Sequence, residues 1–325
     1  MAFAEEPIRS ETAAVGAGNG VAAVIVTYLP DLTALSSLLA VLRPQVDRTV
    51  LVDNTPVHCV PARLQALGDE WCSVIANGSN RGLATAQNQG IARARASSAK
   101  CVLLLDQDSV PASDMVERLL AAKARLSVRA ARVAAIGPRW RDRHTGEDAP
   151  FVRVAAGRTL NLRCVADGAA EIECDTLVAS GSLLPLDSLD AIGPMDDRLF
   201  IDQIDVEWCL RAQALGYGLF GACDAVLHHG IGDRIVRPWF ARARRVPVHA
   251  PLRDYYLVRN TVDVFFRRRA PWRWRVLQLV RLPALMLVMV TQMPPRLARL
   301  RMILHGLLDG LRGRLGMAPF QSSGG

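Results

Sequence analysis

The chain has 325 residues, half of them apolar and 22% charged, which argues against disorder and allows one large core or two smaller ones. Its net charge of +8 is unevenly divided: residues 1–233 carry 21 Lys and Arg against 28 Asp and Glu, and residues 234–325 carry 18 Arg against 3 Asp. A basic tail on an acidic body calls for an anionic partner, a membrane surface or a nucleic acid, and no recognisable nucleic-acid reader pattern accompanies the arginines.

Residues 1–19 begin with acids and turn to Ala and Gly without the basic start and apolar core of a signal peptide, so a disordered leader is expected. The seven cysteines, 59, 72, 101, 164, 174, 209 and 223, are odd in number and form no CxxC pair, which reads as reduced thiols in a cytosolic protein.

VAAVIVTY at 21–28 is a Val-rich apolar run bounded by Gly20 and Pro30, as a fully buried parallel strand should be. TVLVDN (49–54) and CVLLLDQD (101–108) repeat it, with helical spacing between them at Leu32, Leu35, Leu38, Leu39 and Leu42, and again at 83–96. Strands alternating with helices predict an α/β fold around a mostly parallel, Rossmann-like sheet. Polar residues fall at the strand ends: Thr27 and Tyr28, Asp53 and Asn54, Asp106 and Asp108. Ligands of open α/β sheets bind at that edge. No GxGxxG or GxxxxGK[ST] occurs, which argues against a dehydrogenase or a P-loop enzyme.

Residues 137–176 look loop-rich, 176–189 read as a strand, turn and return, and 205–216 as a helix ending at Gly216. The uncharged run 282–295 has 14 residues and contains Pro283, short of the roughly 20 that cross a bilayer, and suits a core or interfacial helix. Residues 296–315 place Leu297, Leu300, Ile303, Leu304, Leu307, Leu308 and Leu311 on one arc, an amphipathic helix.

Two acids at i and i+2 on a strand end point the same way and repel each other. Asp106 and Asp108 have three readings: caps of the next helix; the DxDx[TV] of a haloacid-dehalogenase-type phosphatase; or carboxylates holding Mg²⁺ or Mn²⁺ on a diphosphate. The phosphatase requires a downstream lysine, and none follows Lys123.

The ordered set VIVTY, LVDN, NRGLATAQNQGI, LLLDQD, SGSLLPLD, FIDQIDVEWCLRA and HHGIGD, running from about 21 to 269 with the residues after it, resembles family 2 glycosyltransferases of the GT-A fold. Within that family it is most similar to bacterial enzymes that use dTDP-L-rhamnose. The resemblance implies that Thr27, Tyr28 and Asp53 border the nucleotide, and that Asn80, Arg81, Gly82 and Asn88 pack beneath it. Gly82 and Asn88 also have ordinary readings, as a turn and a structural hydrogen-bonder. It further implies that Asp106, Gln107 and Asp108 form the DxD, with Asp106 reaching the sugar or ribose and Asp108 the metal. Asp205 becomes the general base of an inverting transfer, against an ordinary helix cap. Ile204 stands where a second acid often sits, with Asp202 as a substitute. His229, ahead of His228, is the implied metal-binding histidine. DYYLVRN (254–260) also fits the subgroup; Arg259 either reaches a phosphate or ties the tail to the body.

These implications assemble into a leader at 1–19, a GT-A catalytic domain at 20–233, and a basic helical extension at 234–325 suited to an anionic membrane surface. The expected function is transfer of L-rhamnose from dTDP-L-rhamnose to a hydroxyl of a lipid-linked or cell-surface glycan, at the cytoplasmic face of the inner membrane. The alternatives are another nucleotide-sugar donor on the same fold, or a catalytically silent scaffold of a polysaccharide complex.

Overall fold

A computed structural model describes residues 18–57, 62–129, 132–143, 146–155, 158–166, 168–229, 235–237, 239, 246–267 and 269–321. Most of the expected leader, and Cys59, therefore lie outside the described residues. The first half alternates as expected: β1 (Val21–Thr27), α1 (Leu32–Leu42), β2 (Arg48–Asp53), α2 (Ala62–Gln65), β3 (Cys72–Ala76), α3 (Leu83–Arg95) and β4 (Cys101–Asp106). These strands pair in parallel in the order β3-β2-β1-β4. Alternate residues of β4 enter two cores, Val102 and Leu104 on one face and Cys101, Leu103 and Leu105 on the other. A parallel strand covered on both sides needs an apolar side chain at every position, which is why these runs are continuous. On the first face α3 comes so close that a Cβ on Gly90 would lie 2.2 Å from Val24 Cγ1.

The second half comprises β5 (Val110–Pro111), α4 (Met115–Val128), β6 (Val133–Asp142), β7 (Phe151–Ala155), β8 (Arg158–Leu162), β9 (Glu171–Cys174), β10 (Leu183–Pro185), α5 (Leu186–Ile192), α6 (Ile204–Ala214) and β11 (Gly218–His229). The sheet continues β4-β10-β6-β11-β5, with β10 antiparallel to both neighbours and β6 parallel to β11. The region expected to be loop-rich, 137–176, instead holds the end of β6 and strands β7 to β9. Pro138 does not end β6 because β11 shifts register opposite it, between Ala222 and Val226, where the missing N–H is tolerated. The charges that broke the periodicity are paired across the turn, Arg139 and Arg141 with Asp148. A second departure concerns the thiols: Cys164 and Cys223 form a disulfide, while Cys72, Cys101, Cys174 and Cys209 are free and buried. The segment after β8 returns to β11 and brings the two sulfurs together, a proximity that spacing along the chain did not reveal.

Beyond the short ladder of β12 (Ile235–Val236) and β13 (Val246–Pro247), the extension forms α7 (Pro251–Phe266), α8 (Trp272–Gln292) and α9 (Arg296–Leu311). Helices α7 and α9 touch backbone to backbone, since a Cβ on Gly306 would lie 2.6 Å from Tyr255 O and one on Gly310 2.7 Å from Arg259 O. Buried Arg299 bonds Asp254 Oδ2 at 2.5 Å and His249 O at 2.7 Å, locking α9 to the start of α7. The extension also packs on the body: Val264, Ala270 and Trp274 share a cluster with Leu210 of α6, and Tyr255 and Tyr256 share one with Phe200. One face of α8 and α9 stays open, with Leu279, Val280, Leu287, Leu297, Leu304 and Leu308 all exposed. Helix α8 runs 21 residues, longer than the uncharged run because it begins at Trp272, and is long and apolar enough to cross a membrane by length and composition alone.

Candidate active site

The order β3-β2-β1-β4 reverses direction between β1 and β4, and a crevice opens there beyond the strand ends. Register puts Thr27 beside Asp53 and Val26 beside Asp106, so the polar ends of β1, β2 and β4 converge on that crevice. Asp53 is fully buried, its Oδ1 accepting from Thr27 Oγ1 at 2.9 Å, Thr55 Oγ1 at 2.6 Å and the Thr55 N–H at 3.2 Å. Its Oδ2 is also buried and has no hydrogen-bond partner. A buried carboxylate oxygen left unpaired is costly, and a ligand N–H or O–H would satisfy it. Tyr28 is exposed, and its backbone exchanges two bonds with Gln107, whose Oε1 accepts from Tyr28 N–H at 2.8 Å and whose Nε2 donates to Tyr28 O at 3.3 Å. Gln107 thus ties the end of β4 to the end of β1.

Beneath the crevice, Asn80 Oδ1 accepts from Gly82 N–H at 3.0 Å, and Arg81 is exposed. Gly82 sits at φ +88, and a Cβ there would lie 2.7 Å from Phe200 Cδ2 and 2.9 Å from Phe200 O. Only glycine takes that backbone without strain. Asn88 brackets Met195, donating to its carbonyl at 2.9 Å and accepting from its N–H at 3.0 Å. Its amide therefore braces the approach to the next segment and points to protein backbone.

Asp106 closes β4 half-buried, with its N–H on Ser180 Oγ at 3.1 Å, while Asp108 is exposed in the turn. Burial first, and then the charges of Asp108 and Asp205, push the Asp106 carboxyl up to about 6, against the opposing pull of Arg253. Asp205 stands in the first turn of α6 and accepts the Val206 N–H at 2.8 Å. Burial is the main cause that raises it to about 6, with the Asp202 charge adding and the N–H groups of Val206 and Ala179 opposing. A carboxyl poised near neutrality is suited to taking a proton from a hydroxyl.

The loop before α6 is strained. Phe200, Asp202 and Gln203 have φ of +66, +65 and +61, a region that non-glycine residues rarely adopt. Asn260 Nδ2 holds it by donating to Leu199 O at 2.9 Å, Ile201 O at 2.8 Å and Asp202 O at 2.9 Å. Fully buried Arg259 donates to Leu199 O at 2.9 Å and Gly316 O at 2.6 Å and lies over the Tyr255 and Tyr256 rings. Of its two sequence readings, the structure supports the tie: the guanidinium is committed to the loop. Arg253 pairs with Asp202 and comes from the same helix.

Strand β11 ends at His229, with His228 paired to Val110 just after the DxD turn. The His229 side chain lies outside the described residues. Among the described residues no group of three or more His, Cys, Asp or Glu side chains is assembled to hold a metal by itself. Asp106 and Asp108 nonetheless offer the hard oxygens that Mg²⁺ or Mn²⁺ takes, with phosphate oxygens able to complete the set.

Sequence reasoning missed Thr55, Ser180, Asn260 and Arg253, and gave Asn54 no more than a place at a strand end. Asn54, which donates to Gly82 O at 3.1 Å, and Ser180 stood inside the quoted motifs LVDN and SGSLLPLD. Arg253 carried no periodic signal.

Residues 25–167 match the glycosyl transferase family 2 model. The chain thus carries a family 2 glycosyltransferase domain on a GT-A-like fold, and its class is glycosyltransferase. Over 299 residues it is 29% identical to the dTDP-rhamnosyl transferase RfbF of Shigella flexneri, covering 92% of this chain and 97% of that one. Among solved structures, GalNAc-T7 with UDP, GalNAc and Mn²⁺ superposes with a TM-score of 0.56 at 14% identity, over 75% of this chain and 48% of that one. TarS of S. aureus gives 0.52 at 11% identity, over 90% and 48%, and its fragment 1–349 gives 0.51 at 13%, over 90% and 82%. The chain spans about half the length of GalNAc-T7 and of full TarS, and these likenesses bear on the fold.

Proposed function

We propose that the protein is an inverting rhamnosyltransferase moving L-rhamnose from dTDP-L-rhamnose to a hydroxyl of a lipid-linked or cell-surface glycan. The observation that carries this reading is the convergence of buried Asp53, the Asp106/Asp108 pair and Asp205 on one crevice. The likeness to RfbF along nearly the whole chain supports the donor. Asp53 Oδ2 accepts a base or ribose hydrogen, and Asp205 takes the proton of the acceptor hydroxyl as its oxygen attacks C1. The C1–O bond breaks and its electron pair leaves with the nucleoside diphosphate, so dTDP-β-L-rhamnose gives an α-linked product. Asp106 and Asp108, with His229, would hold Mg²⁺ or Mn²⁺, which when bound neutralises the diphosphate.

The exposed aliphatic side chains of α8 and α9, with Arg296 and Arg301 exposed on α9 beside its leucines, fit an anionic leaflet, where leucines enter and guanidinium groups meet phosphates. This supports a peripheral position at the cytoplasmic face of the inner membrane, beside a lipid-linked acceptor. A thermal-shift panel of nucleotide sugars with Mn²⁺ tests the donor, because a ligand of the folded state raises its stability. Stabilisation by dTDP-rhamnose over UDP-sugars supports the reading, and no response to any nucleotide sugar contradicts it.

A further inference from the structure

Arg253 is the third residue of α7, inside the extension that lies outside the matched family segment. Its guanidinium meets Asp202 as a fork, Nε to Oδ2 at 3.2 Å and Nη2 to Oδ1 at 2.5 Å. Asp202 is held on the strained loop by Asn260, so this acceptor is fixed in place. Two further arginines at this junction are closed off: Arg259 is 0% exposed and Arg299 2%, with their donors on carbonyls, Asn260 and Asp254. Arg253 differs, keeping 40% of its side chain exposed with Nη1 outside the Asp202 fork. It is also the cation whose field opposes Asp108 and Asp205 at Asp106. A half-open guanidinium oriented by Asp202, on the loop that leads into Asp205, thus stands within electrostatic reach of Asp106 at the end of β4, where the negative charge of the departing group must gather.

We propose that Arg253 binds the diphosphate of the donor and of the departing nucleotide, with Asp202 as the residue that orients it. This rests on the nucleotide-sugar reading of the site. The guanidinium fork matches phosphate oxygens, and a cation held in place before reaction stabilises the charge that develops as the C1–O bond breaks. The extension then supplies part of the catalytic site as well as a surface.

The test is calorimetric titration of the full-length protein with dTDP, UDP, GDP and inorganic pyrophosphate, each with Mn²⁺, and with thymidine alone. Losing charge-assisted hydrogen bonds predicts that Arg253→Met weakens every diphosphate the wild type binds by about tenfold or more and leaves thymidine unchanged. Arg253→Lys, with the charge but without the fork, falls between. Asp202→Asn keeps diphosphate affinity within about threefold, because the cation remains. The assignment is overturned if Arg253→Met binds diphosphates like wild type, if it loses thymidine equally, or if Asp202→Asn weakens binding as much as Arg253→Met, which would make the pair structural. Binding of UDP or GDP but not dTDP removes the rhamnose donor while Arg253 is still tested on those ligands. A wild type that binds no diphosphate overturns both.

Discussion

Asn260 Nδ2 donates to the carbonyl of Asp202 at 2.9 Å, and Asp202 stands at φ +65 three residues before Asp205. One buried amide on α7 thereby sets where α6 begins. Three left-handed non-glycine residues cost on the order of 1–3 kcal/mol each, so the loop persists only while it is held from outside. Asn260→Ala leaves the carbonyls of Leu199, Ile201 and Asp202 without that donor. We expect a loss of about 1–3 kcal/mol in urea unfolding and a fall in kcat with dTDP affinity retained.

Gly82 supports the same loop from below. Gly82→Ala forces a Cβ against Phe200 at φ +88 and should destabilise by more than about 1 kcal/mol, read as a lower Tm.

Asp53 is predicted to carry nucleotide recognition through its unpaired Oδ2. Asp53→Asn replaces one acceptor by a donor in a pocket built around acceptance, so dTDP should bind about tenfold more weakly or worse, measured by calorimetry.

Asp106 and Asp205 both stand at about 6, above their ordinary 3.8, chiefly through burial. The folded protein therefore holds these protons more tightly than the unfolded chain. Their contribution to stability is full below about pH 4 and is lost as pH rises through 6. Activity has the opposite sense, since a base must be ionised: kcat/KM should fall as pH drops through about 6. Because the two charges couple, the apparent value belongs to the pair. Mn²⁺ should raise Tm more at pH 7.5 than at pH 5, where both carboxyls are largely protonated.

The open face of α8 and α9 predicts flotation of the full-length protein with vesicles containing anionic lipid and little with neutral ones. Replacing the exposed Leu297, Leu304 and Leu308 by Ser should reduce flotation and leave soluble-acceptor activity in place. Equal flotation on both vesicle types would remove the membrane role.

The parallel half of the fold was readable because buried strands must be apolar at every position and end in polar residues, as 21–28, 49–54 and 101–108 do. Strands β7 to β9 were not, because they are half-exposed and carry charges whose partners lie on other elements, Arg153 with Glu173 and Glu171 with Arg125 of α4. Asp53 and Asp106 stood out as polar residues that end apolar runs, whereas Asp205 was singled out only through the family resemblance. The supports of Asp205 could not be read, since Asn260 and Arg253 reach it from more than forty residues away through carbonyls and an ion pair.

The most direct test is rhamnosyl transfer from dTDP-L-rhamnose with Mn²⁺, wild type against Asp205→Asn, with dTDP affinity measured on both. Removal of a general base predicts turnover lower by about 10²–10⁴-fold with dTDP affinity preserved. Transfer by Asp205→Asn at the wild-type rate, or no transfer by the wild type from any nucleotide sugar, would contradict the account.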